Sequence, residues 1–189
     1  MIGYAEERHH VKGRWKTMEN RKLLVVVDMQ KDFIDGSLGT PEAQAIVSAV
    51  KKRIEEYVAE GQDVVFTLDT HYENYMDTLE GRNLPIMHCQ KGSEGWQLAP
   101  ELQNFPGKRF EKPTFGCVEL ARYVQDREYE RIELLGLCTD ICVITNAMLL
   151  KAVLPGTPIA VNEACCAGVT PESHANALKA MKMCQVEIV

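Results

Sequence analysis

The chain has 189 residues, 46% hydrophobic and 25% charged, which suffices for one domain with a complete core and excludes a disordered or fibrous protein. No basic stripe offsets its net charge of −6 at pH 7, so no nucleic-acid partner is expected. Seven cysteines, an odd number, do not suggest a disulfide framework, which favours a reducing compartment. The sequence has no apolar run near the ~18 residues of a membrane span and no apolar signal segment. We therefore predict a cytoplasmic protein without a membrane partner.

The first twenty residues are polar and show no periodicity. We predict that residues 1–20 form a flexible N-terminal extension and that residues 21–189 form a single domain. His9 and His10 lie side by side in this extension. They could bind a metal, but ordinary surface positions are the favoured interpretation.

The first half of the domain reads as strand, helix, strand. Residues 23–27 are a continuous apolar, β-branched run that ends at Asp28, which is typical of a strand covered on both faces. Thr40 and Pro41 then supply helix-start signals, and Gly61 ends a segment with helical spacing of apolar residues. A second apolar strand over 64–68 follows. Because both strands are joined through a helix, we expect them to pair in parallel.

The second half continues this alternation after a long polar segment. Residues 70–106 lack periodicity, and a loop of that length inside a compact domain is usually functional. The elements predicted after it are a strand over 108–112, an amphipathic helix over 118–124, a strand over 132–137, a buried helix over 140–153, a strand over 158–161, a helix from Thr170 and a strand over 186–189. The fold class predicted is a three-layer α/β/α architecture with a mostly parallel sheet of about six strands.

A cysteine lies at the start of the helix that follows the strand over 132–137. Cys142 would face unpaired backbone N–H groups and the positive end of the helix dipole, which together lower a thiol pKa and favour a nucleophile. A small buried hydrophobe is the alternative, because many free cysteines serve that purpose. A redox pair of Cys138 with Cys142 is less well supported, since thioredoxin-like pairs are separated by two residues.

Ligands of parallel α/β sheets bind outside the carboxyl ends of the strands. Asp28, Lys112 and Cys142 all follow strand ends, so we expect them to meet in one crevice. There Lys112 would favour the thiolate, Asp28 would accept the thiol proton, and Cys142 would attack a carbonyl carbon. Taken singly, Asp28 could be a capping residue and Lys112 a surface charge.

A possible metal site lies beside these residues. Asp69 and His71 are two residues apart on an extended segment and therefore point to the same side. With His88 and an acidic residue between them, they form a nitrogen and oxygen ligand set suited to Zn²⁺ or another divalent metal. A hydrogen-bonded Asp69–His71 pair is the alternative.

Three blocks of the sequence resemble the isochorismatase-like cysteine hydrolases, and within that family the nicotinamidase branch. The blocks are LLVVVDMQKDFIDGSLG, FTLDTHYENY with LPIMHCQKGSEGW, and GLCTDICVITNA. The resemblance implies a catalytic triad of Asp28, Lys112 and Cys142. It also implies a non-proline cis peptide bond between Leu137 and Cys138, with the backbone N–H groups of Cys138 and Cys142 directed at the oxyanion.

The nicotinamidase branch further implies a bound divalent metal, for which zinc is the expected ion, held through Asp69, His71 and His88. Glu80 is the preferred fourth ligand over Glu73. Aromatic walls for the substrate ring would be Phe33 and Phe115. Pro85 stands three residues before His88, where nicotinamidases often carry tryptophan, so the resemblance supports amide hydrolysis more strongly than nicotinamide itself.

The function that the resemblance implies is hydrolysis of a small carboxamide, first of all nicotinamide to nicotinate and ammonia, through a thioester on Cys142. Such an activity would place the protein in NAD salvage. Two alternatives stay open: a related hydrolase acting on another amide or a vinyl ether, and a catalytically silent binding protein on the same scaffold. Apolar helix faces on such sheets also predict a homo-oligomer.

Overall fold

A computed structural model describes residues 21–189; the predicted extension over residues 1–20, with its His9–His10 pair, lies outside the described residues. The strands are β1 (Lys22–Val27), β2 (Asp63–Asp69), β3 (Lys108–Lys112), β4 (Arg131–Leu137), β5 (Ile159–Ala167) and β6 (Glu187–Ile188). The α-helices are α1 (Lys31–Ile34), α2 (Pro41–Ala59), α3 (Leu79–Asn83), α4 (Val118–Gln125), α5 (Ile144–Val153) and α6 (Pro171–Met183). Within this range no helix combines the length and apolar character needed to cross a membrane.

The six strands form one sheet in the order β3-β2-β1-β4-β5-β6, and every neighbouring pair is parallel. Helix α2 packs on β2, β4 and β5, whereas α5 contacts both α4 and α6. Of these three helices, α4 packs on β3, and α5 and α6 pack on β5. The predicted α/β fold with a parallel sheet of six strands is therefore confirmed. Every residue from Leu23 to Val27 in the central strand β1 is fully buried, as a strand covered on both faces requires.

A glycine lets the two central strands approach each other where they end. Gly136 in β4 pairs with Val27 in β1 and has a positive φ of 118°. A Cβ atom at Gly136 would lie 2.1 Å from the carbonyl oxygen of Val27, so a larger residue would push the strands apart. Because of this close contact, the segments that leave β1 and β4 begin side by side.

The strand β5 is much longer than the predicted strand over 158–161. Its pairing with β4 shifts register, since Val161 lies opposite Leu134 whereas Cys166 lies opposite Gly136. The extra residues between these pairs form a bulge. Asn162 in this bulge donates a hydrogen bond of 3.0 Å to the carboxylate of Glu133. Asn162 and Glu163 interrupt the apolar pattern in the middle of β5, which is why the sequence predicts a strand that ends at residue 161. The last strand is also shorter than the predicted 186–189.

The predicted buried helix over 140–153 is wrong in two respects. It is divided into a π-helical turn, Thr139–Val143, and the α-helix Ile144–Val153. Within α5 only Asn146, Ala147 and Leu150 are buried. The other residues of the helix are half-buried or exposed. Cys142 therefore lies in a π-helical turn before the α-helix begins. Such irregular turns are frequent at functional sites.

The long segment over 70–106 contains short helical pieces rather than loop alone. They are the 3₁₀ turns Tyr75–Asp77 and Pro100–Leu102 and the five-residue helix α3. The hydroxyl of Thr78 caps α3 by accepting a hydrogen bond of 3.0 Å from the N–H of Gly81. This cap fixes the start of the helix that carries Glu80.

Candidate active site

Three of the predicted site residues form one buried cluster at the carboxyl edge of the sheet. Asp28 follows β1, Lys112 ends β3, and Cys142 lies in the turn after β4. The ammonium nitrogen of Lys112 lies 2.7 Å from Asp28 Oδ2 and 3.4 Å from Cys142 Sγ. Since the sheet order separates the three residues along the edge, the long side chain of Lys112 is what joins them.

Lys112 is almost completely buried and is surrounded by oxygen atoms. Besides Asp28, its ammonium group contacts Asp69 Oδ1 and the carbonyl oxygen of Thr114, both at 3.1 Å. Burial lowers the pKa of Lys112, but the nearby acidic groups of Asp28, Cys142 and Asp69 outweigh burial and raise the pKa above its ordinary value. The side chain therefore remains an ammonium ion at neutral pH.

Asp28 is held by its neighbour on β2. The hydroxyl of Thr67 donates a hydrogen bond of 2.6 Å to Asp28 Oδ1, and the N–H of Asp28 donates to the carbonyl oxygen of Thr67 at 3.2 Å. Asp28 has a positive φ of 48°, a conformation that aspartate tolerates better than most residues. Burial raises the pKa of Asp28, while Lys112 opposes the increase.

The expectation of a low pKa for the Cys142 thiol is wrong. Burial raises this pKa well above its ordinary value, the neighbouring Asp28 raises it further, and only Lys112 acts in the opposite direction. Cys142 is only 5% exposed, and the loss of hydration disfavours its thiolate more than Lys112 favours it. A thiol in this environment needs an adjacent base to become a nucleophile.

The four predicted metal ligands also lie together. Asp69, His71, Glu80 and His88 each direct one ligand atom into the cluster, and these atoms all lie within 4.8 Å of one another. Glu80 on α3 belongs to this cluster, whereas the alternative ligand Glu73 is exposed and, among the described residues, belongs to no such group. The cluster is continuous with the cysteine site, because Asp69 contacts both His71 and Lys112.

The hydrogen bonds of the cluster fit a divalent cation. The ring atom Nδ1 of His88 lies 2.8 Å from the carbonyl oxygen of Ile86; since a carbonyl only accepts, Nδ1 must carry the proton, which leaves Nε2 free as a ligand. The buried Nε2 of His71 has no hydrogen-bond partner among the described residues, although Asp69 Oδ2 lies 2.9 Å away. Burial and the neighbouring Asp69 raise the pKa of Glu80, so a cation would relieve repulsion between the two carboxylates.

A cavity of about 330 Å³ opens beside both clusters. Its wall includes Cys142 in the π-helical turn and Cys138 just before that turn, Phe33 and Phe115 as the two predicted aromatic residues, and Glu80 from the cluster of predicted metal ligands. The volume lies at the lower end of the range of ~300–1,000 Å³ for small-molecule sites. A cis peptide bond joins Leu137 to Cys138, as the resemblance implies, and Leu137 also lines the cavity.

The sequence analysis did not identify two side chains that hold the backbone beside the predicted metal ligands. The buried amide of Gln30 accepts a hydrogen bond of 2.7 Å from the N–H of Asp69 and donates one of 2.9 Å to the carbonyl oxygen of the same residue. The carboxylate of Asp32 accepts a hydrogen bond of 2.7 Å from the N–H of Cys89, next to His88. Gln30 follows Asp28 by two residues, and its position beside a buried strand end was the available signal.

Cys165, Cys166 and Trp96 contribute to packing and to hydrogen bonds within the fold. All seven cysteines are free thiols, including the Cys138–Cys142 pair. Cys165 and Cys166 are buried in the core. The indole N–H of Trp96 donates a hydrogen bond of 2.9 Å to the hydroxyl of Thr70 and thereby ties the long segment to the end of β2.

The fold and the two clusters define an α/β protein with a buried cysteine, lysine and aspartate centre next to a metal-ligand set. The model of the isochorismatase domain matches residues 22–189. The chain therefore belongs to the isochorismatase family.

Individual relatives cover nearly the same part of the chain. The isochorismatase family protein PncA of Bacillus subtilis is 31% identical over an alignment of 172 residues, and the match covers 84% of this chain and 92% of that protein. The nicotinamidase/pyrazinamidase of Mycobacterium tuberculosis is 28% identical over 188 residues, with 89% and 98% covered. The crystal structure of the pyrazinamidase of Pyrococcus horikoshii in complex with zinc superposes with a TM-score of 0.77 and 27% sequence identity. The match covers 89% of this chain and 98% of that chain.

Proposed function

We propose that the protein hydrolyses a small carboxamide, with nicotinamide or pyrazinamide as the first candidates, to the carboxylic acid and ammonia. The observation that carries this proposal is the contact of Lys112 with both Asp28 and Cys142, because Cys142 lines the cavity beside them. Relatives named nicotinamidase and pyrazinamidase support the same reaction class.

The first half of the reaction forms an acyl-enzyme. Asp28 accepts the proton of the Cys142 thiol, and the sulfur forms a bond to the amide carbon, so that the carbonyl oxygen becomes an oxyanion. The N–H groups of Cys138 and Cys142 would bind this oxyanion. The proton on Asp28 then passes to the amide nitrogen and the carbon–nitrogen bond breaks. Ammonia is released, and the acyl group remains bound to Cys142 as a thioester.

The second half of the reaction reverses these roles with water. Asp28 accepts a proton from a water molecule, whose oxygen attacks the thioester carbon. The carbon–sulfur bond then breaks, the acid is released, and the proton returns to Cys142. Throughout both halves Lys112 provides a fixed positive charge beside Asp28 and the sulfur atom.

Asp69, His71, Glu80 and His88 would hold a divalent metal ion, for which we propose zinc because two imidazoles and two carboxylates suit it. The bound ion would act as a Lewis acid toward a ring nitrogen or a water molecule. Independently of the ion, Asp69 orients the ammonium group of Lys112, and Phe33 packs against the ring of His88 with 5.5 Å between the ring centroids.

Metal content tests the ligand set directly. Protein purified without chelators should contain about one divalent ion per chain, and H71A and H88A should contain none, because each loses an imidazole ligand. Elemental analysis of the folded variants is the measurement. The matched control is H174A. His174 forms a hydrogen bond with Thr139 and is not one of the proposed metal ligands, so its loss should leave the metal content unchanged. Full occupancy in both ligand variants would contradict the assignment.

The reaction itself is tested by ammonia release. Nicotinamide, pyrazinamide and a panel of other small carboxamides are incubated with the metal-loaded enzyme, and release of ammonia together with the matching acid is expected for at least one of them. Turnover of a vinyl ether without any amide hydrolysis would favour the isochorismatase reaction instead. A folded, metal-containing protein that turns over none of these compounds would favour a silent binding protein.

A further inference from the structure

An open groove lies next to the active-site cavity. It has a volume of about 530 Å³, and four residues line both the groove and the cavity: Glu80, Leu84, Phe115 and Ile141. The two spaces are therefore separated by a single layer of side chains. A molecule that fills the cavity and is too long for it meets the groove as soon as it passes this layer.

The groove has the chemistry of an apolar binding surface. Leu79, Pro113 and Phe115 contribute apolar surface to it, and Leu79 and Phe115 are 70% and 41% exposed. Its only ionisable lining residues, within residues 21–189, are His71 and Glu80. Both of these converge on the metal-ligand cluster and so are not available for a separate charged partner.

We propose that the groove is a second substrate subsite, which accepts an uncharged apolar substituent on the ring of the carboxamide. This inference rests on the proposed amide hydrolysis and names its substrate class: carboxamides whose ring carries an apolar group, with the carboxamide at Cys142 and the substituent past Phe115 and Leu84. Passage from the cavity to the groove needs a movement of the side chains that separate them, and Phe115 is 41% exposed rather than packed in the core. Burying the substituent against Leu79 and Phe115 supplies the additional binding energy.

The test compares nicotinamide with 5-phenylnicotinamide and 6-phenylnicotinamide as substrates of the metal-loaded enzyme. We expect kcat/KM for at least one phenyl compound to lie within ~10-fold of the value for nicotinamide, because the phenyl group finds an apolar site. Asn83 lines the groove but not the cavity. N83W should fill the groove and lower kcat/KM for that phenyl compound by at least ~10-fold, with the value for nicotinamide changed by less than ~2-fold.

The matched control is N74W, the same substitution at an exposed residue of the same segment that lines neither space. It should leave both substrates unaffected. Hydrolysis of nicotinamide without hydrolysis of either phenyl compound overturns the subsite and leaves the proposed function intact. An equal loss for both substrates in N83W also overturns the subsite. Failure of the enzyme to hydrolyse any amide contradicts the proposed function itself.

Discussion

Replacing Cys142 by alanine should lower kcat for the carboxamide substrate on the order of 10⁶-fold, as loss of the covalent nucleophile does in a serine hydrolase. The reason is that the remaining groups, Asp28 and Lys112, can bind and polarise the substrate but cannot form the thioester. The measurement is ammonia release by C142A beside the wild-type enzyme, with circular dichroism to establish that the fold is retained. Truncating a small side chain in a cavity wall should leave the sheet intact.

The control for this variant is C184A. Cys184 is the exposed C-cap residue after α6 and lines neither the cavity nor the groove, so its loss should not change turnover. A second measurement is the trapping of the acyl-enzyme, because mass spectrometry of the quenched wild-type reaction should detect the acyl adduct on Cys142 and none on C142A. Undiminished ammonia release by C142A would exclude Cys142 as the nucleophile.

Replacing Lys112 by methionine should affect both stability and activity. The substitution keeps most of the side-chain volume but leaves the carboxylates of Asp28 and Asp69 buried without their common cation. Breaking a buried ion pair in this way costs about 3–5 kcal/mol of the free energy of unfolding. Loss of the fixed charge beside the reacting atoms should also lower kcat by about 10²–10³-fold. Urea unfolding and steady-state kinetics are the measurements.

The double variant K112M/D28N separates the electrostatic cause from a packing defect. Removing the charge of Asp28 eliminates part of the repulsion, so the double variant should be more stable than K112M, while its activity remains low because the proposed base is also gone. If D28N lowered the stability of K112M further, loss of packing and not of charge pairing would be the cause.

Much of the fold follows from local patterns in the sequence. The continuous apolar run of β1, the Thr40–Pro41 start of α2, and the apolar run of β4 predict elements that the structure confirms, because burial on both faces and helix capping act on neighbouring residues. The elements that differ are those in which distant residues intervene. Polar Asn162 lies inside β5 because Glu133 on the adjacent strand accepts its hydrogen bond.

The sequence by itself determined the class of the fold and the residues worth considering at the site, because parallel strands must end at one edge and polar residues at those ends must face one crevice. Only the tertiary structure decided that Glu80 and not Glu73 joins the ligand cluster. It also decided that full burial, and not the start of a helix, sets the pKa of Cys142. The physical reason is that desolvation and charge pairing depend on atoms brought together from all parts of the chain, which no local pattern records.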